Sequence, residues 1–295
     1  MLILISDAFD KSLPEKLSRF GEVTEDKERL SEADVVLIRS KTKADKAYLD
    51  SAKNLKLIIR GGVGMDNIDI PYAKEKQIVA TNTPHSSAIA VAELAFSLML
   101  SVPNHIVFYD TTTKAGEWQK KTKRTELYGK TLALMGMGNI AKEVAKRARA
   151  FGMNVVSYDK YVKESDLAEM KESAADAVRY ADYISIHLPL TDETKEMFSK
   201  NLFDKMEKAP VIINTGRGKC VSDEDMAAAL KEGKVSWYCA DVYSAEPLDM
   251  ASPLLSCENI TLTPHVGANS NENLLRIGEE VIQTIDKYVS LGVLK

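Results

Sequence analysis

The chain has 295 residues, 45% hydrophobic and 28% charged, enough to bury two cores of ordinary size. A formal net charge of -4 removes any general electrostatic reason to bind nucleic acid. Three cysteines, Cys220, Cys239 and Cys257, lack CxxC spacing, so neither a disulfide framework nor a metal site is expected. They read as reduced thiols of a cytoplasmic protein.

The chain opens on "MLILISDAFD", which has neither the basic start nor the cleavage site of a signal peptide. Strand-like runs then alternate with helical segments: "LILIS" and "KSLPEKLSRFG", "DVVLIRS" and "DKAYLDSAK", "LKLIIRGG" and "IPYAKEKQ", then "IVATN". The runs are continuously apolar, as in strands buried on both faces, so a parallel sheet covered by helices is predicted. The longest apolar stretch, "AIAVAELAFSLMLSV", is short for a membrane span and contains Glu93. A buried helix from Ser86 to about His105 is expected there, and no membrane association.

A polar segment, "TTTKAGEWQKKTKRTELYGK", leads to a second series: "TLALMG", "NVVSYD", "YISIHLP", "VIINTG", "SWYCADV" and "ITLTPH". The final "NENLLRIGEEVIQTIDKYVSLG" is an amphipathic helix expected to return to the first domain. The predicted fold is α/β, with two doubly wound parallel-sheet domains and a cleft between them. A Rossmann cofactor domain, residues 99–267, is inserted in a flavodoxin-like substrate domain, residues 1–98 and 268–295.

In "TLALMGMGNIAKEV" two glycines stand where a strand hands over to a helix. Gly136 permits the tight turn, Gly138 lets the backbone approach a pyrophosphate, and small Ala141 allows close helix–strand packing. About twenty residues on, "NVVSYD" ends at Asp159, whose carboxylate suits the ribose hydroxyls of a dinucleotide. Its charge repels a 2′-phosphate, which favours NAD over NADP, although neighbouring Lys160 weakens the point.

Three late strands each deliver a distinctive group beyond the carboxyl end, where ligands collect in open α/β sheets. "VIINTGRG" carries Arg217, "SWYCADVYSAEP" carries Asp241 and Glu246, and "ITLTPHVGA" carries His265. Hydride transfer between a nicotinamide and a hydroxy acid needs these types. Arg grips a carboxylate with a two-pronged fork, His moves the hydroxyl proton, and a carboxylate behind the His fixes its tautomer.

With "GGVGMDNIDI", "VAELAFSLML", "HLPLTDET", "INTGRG", "DVYSAEP" and "TPHVGA" in hand, the chain closely resembles the D-isomer-specific 2-hydroxyacid dehydrogenases along nearly its whole length. The resemblance implies Arg217, Glu246 and His265 as the catalytic set. It implies that Asn139, Ile140 and Asp159 touch the pyrophosphate and adenosine ribose, and that Leu188 lines the adenine side. Thr215, Gly216 and Arg217, Asp241, and His265, Val266, Gly267 and Ala268 would border the nicotinamide. His187 reads as a structural residue and His85 as solvent-exposed. The family usually has an asparagine where Ser87 stands. A homodimer through the cofactor domains is also implied.

"VLIRSKTK" and "IIRGGVGMDNID" resemble the phosphoglycerate dehydrogenase branch most closely. That resemblance implies Arg39 and Arg60 as holders of a substrate phosphate, with Lys120 a further contact. The amides around Val63 and Gly64 would meet the substrate carboxylate. The expected activity is NAD-dependent oxidation of D-3-phosphoglycerate to 3-phosphohydroxypyruvate and its reverse, the first step of phosphorylated serine biosynthesis. No C-terminal regulatory extension is seen, so control by serine is not expected. The alternatives are a hydroxypyruvate or glyoxylate reductase of the same family and, in a different class, an NAD-sensing co-repressor-like protein. The intact catalytic set argues against the last.

Overall fold

The computed structural model describes residues 1–294. By contacts the chain divides into two compact units, Met1–Ala90 with the chain from Ala268 onward, and Val91–Gly267. The sequence reading sets the first crossing at 98/99.

The first unit holds five parallel strands: β1 (Leu2–Ile5), β2 (Glu22–Thr24), β3 (Val35–Ile38), β4 (Leu57–Arg60) and β5 (Val79–Asn82), in the order β2-β1-β3-β4-β5. This is the flavodoxin-like order. Successive side chains point to opposite faces, so each apolar run serves two cores. Ile3, Leu37 and Ile59 meet Leu13 and Leu17 of α1 (Leu13–Leu17) on one face. On the other, Leu4, Val36 and Ile58 meet Leu49 of α2 (Lys46–Ser51) and Ala73 of α3 (Ile70–Glu75). The amphipathic C-terminal helix, Asn271–Ser290, joins the first of these cores through Ile277, Val281 and Ile285.

The second unit has seven parallel strands: β6 (Thr131–Met135), β7 (Asn154–Tyr158), β8 (Glu169–Met170), β9 (Tyr183–Ile186), β10 (Val211–Asn214), β11 (Trp237–Ala240) and β12 (Ile260–Leu262). Their order, β12-β11-β10-β9-β6-β7-β8, is the Rossmann order extended by one strand. Chain direction across the sheet reverses between β6 and β9, the switch point where such folds bind ligands.

The helix expected from Ser86 to about His105 is present but ends at Ser101, and a second, unexpected helix starts at Ile106. Helix α4 (Ala88–Ser101) buries Ala92, Ala95 and Met99, and α5 (Ile106–Lys114) follows. Pro103 lacks the N–H needed to continue the first helix, and His105 turns left-handed at φ 50°. Helix α5 therefore takes the start of what reads as a polar connector. No single helix among the described residues is long and apolar enough to cross a membrane.

Candidate active site

The glycine turn sits at the switch point of the second sheet. Gly136 follows β6 at φ +96°, and a Cβ there would lie 2.8 Å from the carbonyl oxygen of His187 after β9. Only glycine suits both the dihedral and that approach. Gly138 caps the N-terminus of α6 (Asn139–Ala150), and a Cβ on it would meet nothing within 4 Å. This open space, at a helix end that attracts anions, fits a pyrophosphate. Asn139 and Ile140 begin the helix, while Ala141 is fully buried in the core beneath.

Asp159 follows β7. Its Oδ2 accepts from the Met137 N–H at 2.8 Å, and its Oδ1 accepts from the N–H groups of Tyr161 and Val162 at 2.7 and 3.0 Å. Burial raises its pKa, but these backbone donors outweigh burial and hold the carboxyl below its ordinary value. It is therefore an anion at neutral pH, tied to the residue between the two glycines. The neighbouring Lys160 ammonium is engaged by Glu193, at 2.5 Å to Oε1.

On the nicotinamide side of the expected site, Thr215 follows β10 with its Oγ1 buried and without a protein partner. Leu188 is half-buried and packs beside Gly136. The open space at Gly138, the orphaned Thr215 hydroxyl and the anionic Asp159 together fit a dinucleotide. His187 is partly buried with its Nε2 on Ser185 Oγ at 2.9 Å, and burial lowers its pKa to about 4. It is a neutral ring held in the fold.

Arg217, Glu246 and His265 all lie in this second unit. His265 Nδ1 and Glu246 Oε2 are 2.6 Å apart, with the two side chains 37% and 38% exposed. Burial raises the Glu246 pKa, yet the His265 hydrogen bond and charge, the Tyr243 N–H and the Arg217 charge bring it below the ordinary value. With Nδ1 committed to Glu246, Nε2 is the ring nitrogen positioned for proton exchange. The Arg217 guanidinium donates to the Gly216 carbonyl at 2.8 Å. The next residue, Gly218, admits no side chain, because a Cβ would lie 1.9 Å from the Tyr243 carbonyl carbon. A cavity of about 410 Å³ adjoins the pair, lined by Glu246, Pro247, Leu248, Leu262, Pro264 and His265 among others.

Asp241 is buried at the end of β11 and accepts from the N–H groups of Val266 and Gly267, both at 2.9 Å. Three neighbours escaped the sequence reading. Asn214 is fully buried, Thr263 binds Asp241, and the Tyr243 hydroxyl donates to the Thr263 carbonyl at 2.6 Å. Burial and the nearby Asp241 charge push the Tyr243 phenol up to about 12, so it remains a donor. The available signal was a polar residue closing an otherwise apolar strand, as in "VIIN".

In the first unit, Ile38 of β3 and Arg60 of β4 are register partners, so Arg39 and Arg60 leave adjacent strand ends. Arg39 donates to the carbonyls of Ala8 at 3.4 Å and Ala268 at 3.2 Å. Burial lowers its pKa, partly offset by the Asp7 charge. The Arg60 guanidinium folds over Gly62, where a Cβ would lie 1.7 Å from Nη1. The Gly62 N–H donates to Thr83 Oγ1 at 2.7 Å, and Val63 lends its carbonyl to Asn82 at 2.5 Å, which shapes the loop through Gly64. Ser87 is buried and its Oγ accepts from Asn273 Nδ2 at 3.3 Å. Lys120 is an exposed residue of the second unit.

The second unit is thus a dinucleotide-binding α/β domain carrying an Arg, a Glu and a His beyond its strand ends. Its residues 96–267 match the family model described as "D-isomer specific 2-hydroxyacid dehydrogenase, NAD binding domain". Over 299 residues the chain is 39% identical to a hydroxypyruvate reductase of Thermotoga maritima, covering 97% of this chain and 98% of that protein. It is 38% identical over 300 residues to a D-3-phosphoglycerate dehydrogenase of Methanocaldococcus jannaschii, covering 97% of this chain but 57% of that longer protein. A glyoxylate reductase structure from Paecilomyes thermophila superposes with a TM-score of 0.88 at 28% identity, covering 100% of this chain and 96% of that one. The chain belongs to the D-isomer specific 2-hydroxyacid dehydrogenases, NAD-dependent oxidoreductases of small 2-hydroxy acids.

Proposed function

We propose that the protein oxidises D-3-phosphoglycerate to 3-phosphohydroxypyruvate, and catalyses the reverse, as the first step of phosphorylated serine biosynthesis. The observation that carries this reading is the pair Arg39 and Arg60, two guanidinium groups leaving adjacent parallel strand ends. A phosphate offers several acceptor oxygens to such planar forks. In this reading the amides around Val63 and Gly64 receive the substrate carboxylate and Lys120 adds a further phosphate contact. Arg217 holds the substrate at its reacting end.

A nicotinamide dinucleotide held by the second unit would supply or accept the hydride. His265 Nε2 takes the proton from the C2 hydroxyl as the C–H bond breaks and the carbonyl forms; in the reverse direction it returns that proton. Glu246 keeps the ring in the required tautomer and stabilises its protonated form. Around the cofactor, Asp159 receives the adenosine ribose hydroxyls, the Gly136–Ile140 turn faces the pyrophosphate, and Leu188 lines the adenine. Thr215, Gly216, Asp241 and the His265–Ala268 segment border the nicotinamide.

The protein acts as a homodimer through its cofactor unit in this reading. Helix α5 and the following turn leave Ile106, Val107, Phe108 and Trp118 exposed, with Val107 at 68% and Trp118 at 81%.

A second reading, reduction of hydroxypyruvate, is favoured by the Thermotoga maritima relative, which matches end to end. A single comparison separates the two: kcat/KM for phosphohydroxypyruvate and hydroxypyruvate in the wild type and in Arg60→Ala. Loss of a hydrogen bond to a charged group costs about 1.5–3 kcal/mol, roughly tenfold to over a hundredfold. That loss should fall on the phosphorylated substrate. An equal loss on both, or a wild type preferring hydroxypyruvate, assigns the protein to the second reading.

A further inference from the structure

The side chains given catalytic roles above do not hold themselves in place. Arg217 and His265 each sit in a short turn past a strand end, and each turn is fastened from beneath by one buried polar side chain. Under Arg217 lies Asn214, fully buried as the last residue of β10. Its Oδ1 accepts from the Gly216 N–H at 3.0 Å, and its Nδ2 donates to the Arg217 carbonyl at 3.0 Å. The turn is therefore gripped on both sides of the Gly216–Arg217 peptide.

Under His265 lies Asp241, 1% exposed. One oxygen accepts from Thr263 Oγ1 at 2.6 Å and from the Val266 N–H at 2.9 Å; the other accepts from the Gly267 N–H at 2.9 Å. These donors flank His265 on both sides. The grip matters because His265 is left-handed at φ 52°, a conformation uncommon for a non-glycine residue and held more securely by fixed neighbours. Three donors converge on one buried carboxylate, which is an acceptor at every site and supports such convergence better than an amide does. The two anchors are joined directly, since the Asp241 N–H donates to the Asn214 carbonyl at 2.9 Å.

We propose that Asn214 and, besides its place beside the nicotinamide, Asp241 act as positioning residues, Asn214 setting the Arg217 turn and Asp241, itself oriented by Thr263, setting the His265 turn. The proposal rests on the roles read for Arg217 and His265 under the proposed function. It adds a division of labour: loosening one anchor impairs substrate binding, and loosening the other impairs proton transfer.

Thr263 gives the cleanest test: it lines the cavity beside the catalytic pair, but its hydroxyl is committed to Asp241, so the Ser and Val variants separate the hydrogen bond from the lining. Thr263→Val removes the hydroxyl at nearly constant shape; Thr263→Ser retains it. Turnover is measured with NADH and hydroxypyruvate, and again with phosphohydroxypyruvate, while NADH binding is followed by fluorescence. Misplacement of a catalytic group by about 1 Å costs up to roughly a hundredfold, and a partial loosening is expected to cost Thr263→Val about tenfold in kcat. NADH affinity should fall less than kcat, since the adenosine and pyrophosphate contacts around Asp159 and the glycine turn are untouched, and Thr263→Ser should recover most of the rate. Asn214→Ala should instead raise the substrate KM about tenfold with a smaller change in kcat; the Thr263 pair decides the matter even if that variant does not fold. His265→Gln is assayed in parallel. If His265→Gln turns over like the wild type, the acid–base reading fails and the proposal falls with it. If His265→Gln is inactive while Thr263→Val matches the wild type, or Thr263→Ser is as impaired as Thr263→Val, only the positioning proposal is overturned.

Discussion

The carboxyl ends of the two sheets present polar groups in different ways. In the second unit, groups are fixed by backbone geometry and buried acceptors: Gly136 at φ +96°, Gly218 against Tyr243, and Asp241 gripping the His265 turn. In the first, Arg39 reaches the carbonyls of Ala8 and Ala268, and Arg60 folds over Gly62. The one arrangement admits few alternative residues; the other ends in long side chains whose forks can be matched to several anions. In the proposed reading, the chemistry belongs with the first kind of construction and substrate choice with the second.

The comparison breaks most directly at His265. His265→Ala removes the proposed acid–base group while leaving the glycine turn and Asp159 untouched. Such groups contribute roughly 100- to 10,000-fold, and a kcat loss in that range is expected with NADH affinity nearly unchanged. Steady-state kinetics and NADH fluorescence titration measure the two quantities separately. Near-normal turnover would show that the second unit does not do the chemistry assigned to it.

The same contrast explains what was legible in the sequence. The glycine turn after β6 and the acid after β7 were readable because Gly136, Gly138 and Asp159 answer to the backbone and a charge, and both announce themselves as residue types at fixed spacing. Strands β2 and β8 were not. They have three and two residues and no fully buried position, so they carry no apolar run to detect. Pro103 was visible, but the apolar residues Ile106–Phe108 beyond it are exposed, and a periodicity argument does not expect them to start a helix there. Asn214 and Thr263 were hidden for other reasons. Thr263 matters through a hydrogen bond to Asp241, a partner that only the folded chain brings to it, while Asn214 grips the turn two and three residues on, a local role masked by its place at the end of an apolar strand.

A sharper and smaller test concerns Asp159, which belongs to the second unit yet bears on selectivity. Its carboxylate is anionic and both oxygens face backbone N–H groups, one of them on the glycine turn itself. Asp159→Ala removes a proposed acceptor for the ribose and a charge that repels a 2′-phosphate. The ratio of kcat/KM with NADH to that with NADPH should narrow by about tenfold, the low end for a hydrogen bond to a charged group. The NADH term should fall more than the NADPH term rises, because the variant also frees the Met137 N–H. A wild type that uses both cofactors equally would remove Asp159 from the selective groups.

The smallest expected effect lies in acid stability, at the Glu246–His265 pair. Glu246 holds its proton less tightly folded than in its ordinary state near pKa 4.5, because the His265 contact, the Tyr243 N–H and the Arg217 charge outweigh burial. Between that ordinary value and the lower folded one, the unfolded chain binds more protons than the folded chain, so stability rises with pH. The contribution is complete above about pH 4.5 and is lost as pH falls through the folded value. Both side chains are more than one-third exposed, so solvent screens the pair and its worth is well under about 1 kcal/mol. Melting temperatures of the wild type and Glu246→Gln should therefore differ slightly at pH 7, converge on acidification below about 4.5, and differ less in high salt. A difference that grew on acidification would mean a carboxyl held in its protonated form. The pair would then no longer count among the groups fixed by their surroundings, and His265 would lack the anion that its tautomer requires.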